Sequence, residues 1–163
     1  MEPGMTRLNQ EMLEPLLVVE DSRSFASLLL GTIRQQLGHP VTLAKSYDEA
    51  VHAVQSAKTP FLLAILDLYI PGAPNGEIVD LIIKQGIPAI VLTGMYKKDL
   101  QDRIMAKGIL DYFVKDNIGV IDSVIHFIRR FHKNKRIRVL AVDDSRSVRV
   151  LLANFLKRYG FEV

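Results

Sequence analysis

The chain has 163 residues, of which 48% are hydrophobic and 24% are charged, and it contains no cysteine. This composition is typical of a soluble globular protein with one good core, and it excludes disulfide bonds and thiolate chemistry. The sequence shows neither a signal-peptide pattern nor an apolar run long enough to cross a bilayer. We therefore expect a cytoplasmic protein that has no membrane partner.

The formal net charge is +3, but the basic side chains are unevenly spread. Six of the 21 lie within ten residues: Arg129, Arg130, Lys133, Lys135, Arg136 and Arg138. The remaining 15 are outnumbered by 18 acidic side chains, so the sequence does not predict a nucleic-acid-binding protein. For the basic run itself, a solvated helix end followed by a linker is favoured over a patch that binds DNA or an anionic membrane.

Apolar runs and helical spacings alternate along most of the chain. Five runs are typical of buried parallel strands: Leu16–Val19, Val41–Ala44, Phe61–Leu66, Ala89–Leu92 and Leu110–Val114. The segments that follow them predict helices: Ser22–Leu37, Tyr47–Ala57, Ile78–Gln85, Lys97–Lys107 and Asn117–Lys133. Strands that alternate with helices predict an α/β fold, a doubly wound five-stranded parallel sheet with helices on both faces.

One motif occurs twice. Residues 17–24 (LVVEDSRS) recur 123 residues later as residues 140–147 (LAVDDSRS), and the offset matches the length of one small α/β domain. The second copy predicts a strand at Ile137–Val142 and a helix at Ser145–Tyr159. We therefore expect an N-terminal tail (1–13), a complete domain (14–133), and a linker with the start of a second copy (134–163).

Polar side chains stand at the ends of four predicted strands. The first strand is followed by Glu20 and Asp21, the third by Asp67 and the fifth by Lys115, while Thr93 follows the fourth. In a parallel sheet these ends meet at one edge, where ligands bind. Three adjacent carboxylates repel one another, and a hard divalent cation relieves that repulsion. The sequence therefore predicts a Mg²⁺ site at this edge.

This pattern resembles the receiver domain of bacterial response regulators, the phosphoacceptor module of two-component signalling. The resemblance implies a flavodoxin-like strand order, 2-1-3-4-5, and a role for each matching residue. Asp67 would be the phosphoacceptor, and Asp21 and Asp67 would hold Mg²⁺ or Mn²⁺ directly. Glu20 would bind the metal directly or through water, and the backbone carbonyl of Tyr69 would complete the protein ligands.

The resemblance also implies how such a domain would signal. A histidine kinase or phosphotransfer protein would supply the phosphoryl group, with Lys115 pairing with one of its oxygens. Thr93 and Tyr112 would form the conformational switch, and Tyr112 would move from an exposed to a buried rotamer. The chain would be a regulatory domain rather than an enzyme. It would come from a tandem-receiver protein with a truncated second receiver, which keeps the acidic pair Asp143 and Asp144, and a diguanylate cyclase is one output domain such a longer regulator can carry.

The chain departs from the family pattern in two places. Asp116 stands where the family usually has a proline joined to the lysine by a cis bond, so a trans and a cis Lys115–Asp116 bond are both open. Asp116 is also a candidate N-cap of the helix that follows. Tyr69 and Met95 are bulky at positions that influence attack by water on the phosphoryl group, which favours a slowly hydrolysed acyl phosphate.

Other functions were weighed against this interpretation. A receiver-like domain that binds partners without phosphorylation is the main alternative. A nucleotide- or flavin-binding protein is disfavoured, because Glu20 and Asp21 lie where phosphates would need backbone amides. The apolar face of the last helix predicts a homodimer through the C-terminal segment. No histidine shows metal-ligand spacing, and all four are expected at the surface or in loops: His39, His52, His126 and His132.

Overall fold

The computed structural model describes residues 13–116 and 119–163. Its strands are β1 (Leu16–Val19), β2 (Val41–Ala44), β3 (Leu63–Leu66), β4 (Ala89–Thr93) and β5 (Asp111–Val114). Its helices are α1 (Arg23–Gln36), α2 (Tyr47–Gln55), α3 (Glu77–Lys84), α4 (Lys98–Ala106), α5 (Gly119–Asn134) and α6 (Arg146–Arg158). The described part contains no helix long and apolar enough to span a membrane.

The five strands form one parallel sheet in the order β2-β1-β3-β4-β5. Strand β1 lies between β2 and β3 and pairs with both, so that Leu16 lies opposite both Val41 and Leu63. Successive side chains of β1 point to opposite faces of the sheet, and each face has its own buried cluster. Leu17 and Val19 contribute to the cluster beneath α2, α3 and α4, whereas neighbouring Leu16 and Val18 pack with α1 and α5. The predicted doubly wound fold is thereby confirmed.

The loop between β3 and α3 is well packed in spite of its two prolines. The backbone N–H of Tyr47 donates to the carbonyl of Pro71 at 2.9 Å, and Ile70 bridges Ala73. Gly72 has φ +85°, and a Cβ atom there would lie 3.1 Å from the Cβ of Tyr47. Glycine is needed at this turn both for its backbone conformation and for the close approach of α2.

The predicted strand Ile137–Val142 is wrong, although the helix expected after it is present as α6. Only an isolated parallel bridge forms, between Arg138 and Glu162. The segment has this one short partner on one side and none among the described residues on the other, so a ladder does not extend. Leu140 and Val142 are consequently 87% and 81% exposed.

The end of α6 rests on the five-stranded unit. Arg158 donates to the carbonyl of Ile109, and the Tyr159 hydroxyl donates to the carbonyl of Leu110 at 3.0 Å. The side-chain amide of Asn134 in turn donates to the carbonyl of Tyr159 at 2.9 Å. The C-terminal segment therefore has a defined position against the chain just before β5.

His39 lies in a loop, as expected, but it is not at the surface. The side chain follows α1 and is buried, and its Nδ1 is 2.8 Å from the carbonyl of Glu14. Its ring meets that of His132 edge to face, with centroids 5.0 Å apart. The loop packs against the end of α5, and this tertiary contact covers a residue that local sequence alone would leave at the surface.

Candidate functional site

Three carboxylates meet at the carboxyl edge of the sheet. Glu20 and Asp21 follow β1 directly, and Asp67 follows the neighbouring strand β3. One carboxylate oxygen from each lies within 4.8 Å of the others. Glu20 is 3% exposed and Asp67 9%, while Asp21 is exposed, so the group opens to solvent on one side. The structure thus brings together the three acids that the sequence placed at adjacent strand ends.

Lys115, which follows β5, reaches across the sheet edge to two of these acids. Its Nζ donates to Glu20 Oε2 at 2.5 Å and to Asp67 Oδ2 at 2.6 Å. The same ammonium lies 4.5 Å from the ring centroid of Phe25, in the first turn of α1. One ammonium therefore offsets part of the charge of the two buried carboxylates, and the face of the Phe25 ring helps to hold this ammonium in place.

Burial and charge compete at Glu20. Removal from water is the largest influence and raises the pKa of this carboxyl above 4.5, while the hydrogen bond and charge of Lys115 act to lower it. The nearby charge of Asp67 also raises the pKa, and the backbone N–H of Ser22 lowers it. The net rise shows that the single ammonium does not fully offset the cost of an ionised Glu20 at this depth.

Each oxygen of the Asp67 carboxylate has its own donor. Oδ2 accepts from Lys115, and Oδ1 accepts from the backbone N–H of Tyr69 at 3.2 Å. These two donors hold the carboxylate in one orientation. Two residues after Asp67, the Tyr69 hydroxyl lies 3.5 Å from Met95 Sδ, and both of these side chains are 39% exposed.

The two predicted switch residues lie beside this group. Thr93 is fully buried, and its hydroxyl accepts from the backbone N–H of Met95 at 3.4 Å. The ring of Tyr112 is buried and 7% exposed, which is the buried one of the two positions expected for it. Its hydroxyl donates to the carbonyl of Met95 at 3.0 Å. The β4–α4 loop supplies this polar partner, which allows the phenol to be buried.

The bond between Lys115 and Asp116 is trans, since no cis peptide bond occurs among the described residues. The backbone N–H of Lys115 continues the ladder by donating to the carbonyl of Thr93 at 2.8 Å. The helix after it is described from Gly119 onward, and the proposed N-cap role of Asp116 depends on residues 117–118, which lie outside the described part.

The second acidic pair repeats the local geometry of the first. The backbone N–H of Ser145 donates to Asp143 Oδ1 at 2.8 Å, as that of Ser22 does to Glu20 Oε1 at 3.1 Å. However, the only group of three metal-ligand side chains in the described residues is the one around Asp67. Among the described residues, Asp143 and Asp144 therefore supply only part of such a group of three.

Two contacts near the site were not predicted from the sequence. Phe25 was assigned only to the apolar stripe of its helix, and its contact with Lys115 depends on how α1 crosses the sheet edge. Met95 was noted for its bulk, but not for the carbonyl that holds Tyr112. Neither contact has a local sequence signal, because each joins segments far apart in the chain.

The donor set suits a hard divalent cation. Three carboxylates supply oxygen ligands within a few ångströms, and one of them is exposed enough for solvent to complete a coordination shell. Burial of the other two favours neutralisation by a cation. The acidic cluster could therefore bind a metal ion.

No model of a known protein family matches the chain, and no curated protein matches it either. Several solved structures do match the chain. Two are described as two-component system response regulator/GGDEF domain proteins, with 29% identity and TM-scores of 0.81 and 0.80. The match covers 92% of this chain, which spans 60% of each of those proteins.

Shorter receiver structures match the five-stranded part of the fold. The Mn²⁺-bound form of response regulator Rcp1 has a TM-score of 0.63 at 22% identity, covering 73% of this chain and 94% of its own. A CheY-like receiver domain from Methanospirillum hungatei JF-1 has a TM-score of 0.62 at 18% identity, covering 74% and 98%. The chain therefore has the fold of the receiver domains of two-component response regulators and is similar to them.

Proposed function

We propose that the receiver domain is a phosphoacceptor switch in which Asp67 accepts a phosphoryl group from a histidine kinase or phosphotransfer protein. The observation that carries this proposal is the arrangement around Asp67. Its carboxylate lies with those of Glu20 and Asp21 within 4.8 Å, and Lys115 donates to it at 2.6 Å. A buried nucleophile, a cation and a set of metal ligands are the parts that phosphoryl transfer to a carboxylate needs.

In the proposed step, a carboxylate oxygen of Asp67 attacks the phosphorus of a phosphohistidine. The new O–P bond forms as the P–N bond breaks, and the electron pair stays on the imidazole nitrogen, which takes up a proton. The product is an acyl phosphate. Lys115 donates to the carboxylate of Asp67 and would pair with a phosphoryl oxygen after the transfer. Mg²⁺ or Mn²⁺, held by Asp21, Asp67 and Glu20 with the Tyr69 carbonyl, would offset the charge that builds up on the phosphoryl oxygens.

Two further side chains would convert this chemistry into a conformational signal. The added charge would draw on the Thr93 hydroxyl, which now accepts from Met95 in the same loop that holds the Tyr112 hydroxyl. Rearrangement of this loop would shift the population between conformations rather than create a new one.

The C-terminal segment is proposed to be the opening of a second receiver-like unit. Ser145 caps α6 by accepting from the backbone N–H of Val148 at 3.4 Å, as Ser22 caps α1 by accepting from that of Phe25 at 3.4 Å. Together with the sequence repeat, this supports units bounded at 14–133 and 134–163. The expectation of a longer tandem regulator with an output domain such as a diguanylate cyclase stays a prediction.

Acetyl phosphate with Mg²⁺ tests the central proposal. Intact-mass spectrometry of the full chain should show the gain of one phosphoryl group, and Asp67→Asn should abolish the gain. Asp144→Asn is the matched control, because it removes an acid from the second copy and should leave the gain intact. A folded wild-type chain that gains no mass in this assay and in one with a phosphohistidine donor would support the phosphorylation-independent interaction domain instead.

A further inference from the structure

The ammonium of Lys115 has an uncharged partner besides its two carboxylates. Its Nζ donates to Glu20 at 2.5 Å and to Asp67 at 2.6 Å. It also lies over the ring of Phe25, 4.5 Å from the centroid. The lysine side chain is 13% exposed, so little water competes with these contacts. A cation within about 6 Å of a ring centroid is attracted by the face of the ring, and the attraction is stronger where the cation is shielded from water.

The two carboxylates are not constant partners of this ammonium. Glu20 and Asp67 belong with Asp21 to the group that could bind a metal ion. A bound metal ion would therefore compete with Lys115 for their oxygens. In the proposed reaction an oxygen of Asp67 also becomes bonded to phosphorus, and Lys115 passes to a phosphoryl oxygen. The ring of Phe25 takes part in neither change. Because the ring carries no formal charge, it attracts the ammonium and leaves its positive charge available to the phosphoryl oxygens.

The ring is held in position by the same short segment that carries Glu20. The backbone N–H of Ser22 donates to Glu20 Oε1 at 3.1 Å, and the Ser22 hydroxyl accepts from the N–H of Phe25 at 3.4 Å. The ring itself is half-buried and packs against the apolar cluster that α1 and α5 form with the sheet. The acid and the ring that both contact Lys115 are therefore placed relative to each other by a helix cap and by packing.

The repeated motif is followed by Phe25 in the first copy and by Val148 in the second. The backbone N–H of each residue donates to the serine cap of its helix at 3.4 Å. The start of the helix therefore does not require an aromatic side chain, and Phe25→Val is compatible with this turn of backbone. Beyond its packing against the cluster, the aromatic ring of Phe25 contributes its contact with Lys115.

We propose that Phe25 is a positioning residue that keeps the ammonium of Lys115 beside Asp67 while the carboxylate partners of that ammonium change. This inference rests on the proposed phosphoacceptor function and adds to it a residue outside the acidic group. The ring acts through Lys115, so its loss should slow phosphoryl transfer. The binding of a metal ion should not weaken, because the ring favours the ammonium that competes with the metal ion for the carboxylates.

The rate of phosphorylation of the full chain by acetyl phosphate with Mg²⁺ tests the effect on the reaction, and intact-mass spectrometry over time measures it. Phe25→Val should lower the rate about tenfold, whereas Phe25→Tyr keeps an aromatic face and should stay within about twofold of the wild type. Leu30→Val is the matched control. It removes apolar bulk from the same helix and the same cluster, and it should keep the wild-type rate.

Two measurements without a phosphodonor separate positioning from a structural role. The ring current of Phe25 should shift the NMR signals of the Lys115 ε-methylene protons upfield. This shift should disappear in Phe25→Val and return in Phe25→Tyr. The affinity for Mg²⁺, measured by titration of the metal alone, should be no weaker in Phe25→Val than in the wild type.

If the wild type is phosphorylated and Phe25→Val matches its rate, the positioning role is overturned and the proposed function stands. The role is also overturned if Phe25→Val is slow but binds Mg²⁺ less tightly, or if Phe25→Tyr or Leu30→Val is equally slow, because the ring then acts through packing alone. Lysine signals that do not respond to Phe25→Val would show that the ring does not hold the ammonium. A wild-type chain that accepts no phosphoryl group would overturn both proposals.

Discussion

At the scale of single residues, the site contains more buried negative charge than its one ammonium offsets. Lys115 donates to Glu20 and Asp67 together, and Asp21 completes the acidic group from the solvent side. Such an arrangement is poorly suited to stability by itself, because ionised groups lose hydration when they are buried. It is well suited to binding a cation, because the charge of the cation offsets part of the free energy of hydration that the carboxylates lose. Function and stability therefore oppose each other at these positions.

Glu20→Gln tests this opposition. The pKa of Glu20 is raised, so the folded chain binds a proton more tightly than the unfolded chain. Ionisation of Glu20 therefore lowers the free energy of unfolding as the pH rises from 4.5 through the raised pKa. In the metal-free protein at pH 7, Gln should increase the free energy of unfolding measured with urea, and the gain should vanish below pH 4.5. Mg²⁺ affinity should fall at the same time. A loss of stability at pH 7 would show that the bond to Lys115 outweighs burial.

The side chains of Tyr69 and Met95 contact each other, with the hydroxyl 3.5 Å from the sulfur, two residues after Asp67 and Thr93 respectively. If this contact limits access of water, Tyr69→Asn combined with Met95→Ala should speed hydrolysis of the acyl phosphate about tenfold, which corresponds to about 1.4 kcal/mol of barrier. Phosphate release after removal of the donor measures the rate. Tyr96→Ala, at an exposed neighbouring position, is the control and should hydrolyse at the wild-type rate. An unchanged rate in the double variant would sink the idea.

At the scale of elements, the loop between β3 and α3 carries Asp67 at one end and packs on α2 through Gly72. Gly72→Ala should lower the free energy of unfolding by about 2 kcal/mol for two reasons. The added Cβ is strained in the left-handed backbone conformation of this residue, and it also comes close to Tyr47. Gly86→Ala separates the two causes, since Gly86 has φ +69° and no atom within 4 Å of a Cβ. It should cost about 1 kcal/mol. Equal losses in urea denaturation would mean that the close contact with Tyr47 relaxes at no cost.

The attachment of α6 can be tested in the same way. Tyr159→Phe removes the hydrogen bond to the carbonyl of Leu110 and leaves that acceptor without its partner. Local opening of the helix should become easier by about 1 kcal/mol, seen as faster amide hydrogen exchange in α6. Tyr96→Phe is the matched control, because its exposed ring lies far from α6 in sequence and has no comparable bond. Unchanged exchange in Tyr159→Phe would show that the bond does not hold α6 in place.

At the scale of the whole molecule, the pair of His39 and His132 joins the loop after α1 to the end of α5. Burial, followed by the charges of His39 and Arg136, lowers the pKa of His132 below 6.5. Its Nδ1 is buried without a hydrogen-bond partner. Protonation therefore favours the unfolded chain, so stability is fully present above pH 6.5 and falls as the pH drops from 6.5 through the lowered pKa.

Urea denaturation at pH 7.5 and 5.5 measures this dependence. His132→Gln should flatten the loss of stability between the two pH values, whereas His126→Gln, at an exposed position of the same helix, should keep the wild-type loss. If His132→Gln and the wild type lose stability equally on acidification, another group is responsible for the effect.

The sequence by itself determined the fold and the residues at the edge of the sheet. Buried parallel strands are near-continuous apolar runs, so Leu16–Val19 and Leu63–Leu66 can be recognised locally, and the ends of such strands meet at one edge by geometry alone. The sequence therefore predicts that four side chains lie together at this edge: Glu20, Asp21, Asp67 and Lys115.

Only the tertiary structure decided the details that depend on contacts between distant segments. Three examples are the pair of hydrogen bonds from Lys115, the buried ring of Tyr112 and the burial of His39. Each of them needs a partner that is remote in sequence. The repeat at 137–142 carries the same signal as β1, yet it forms no strand there. A strand depends on its neighbours as much as on its own residues, and within the described part of the chain this segment pairs only through the bridge to Glu162.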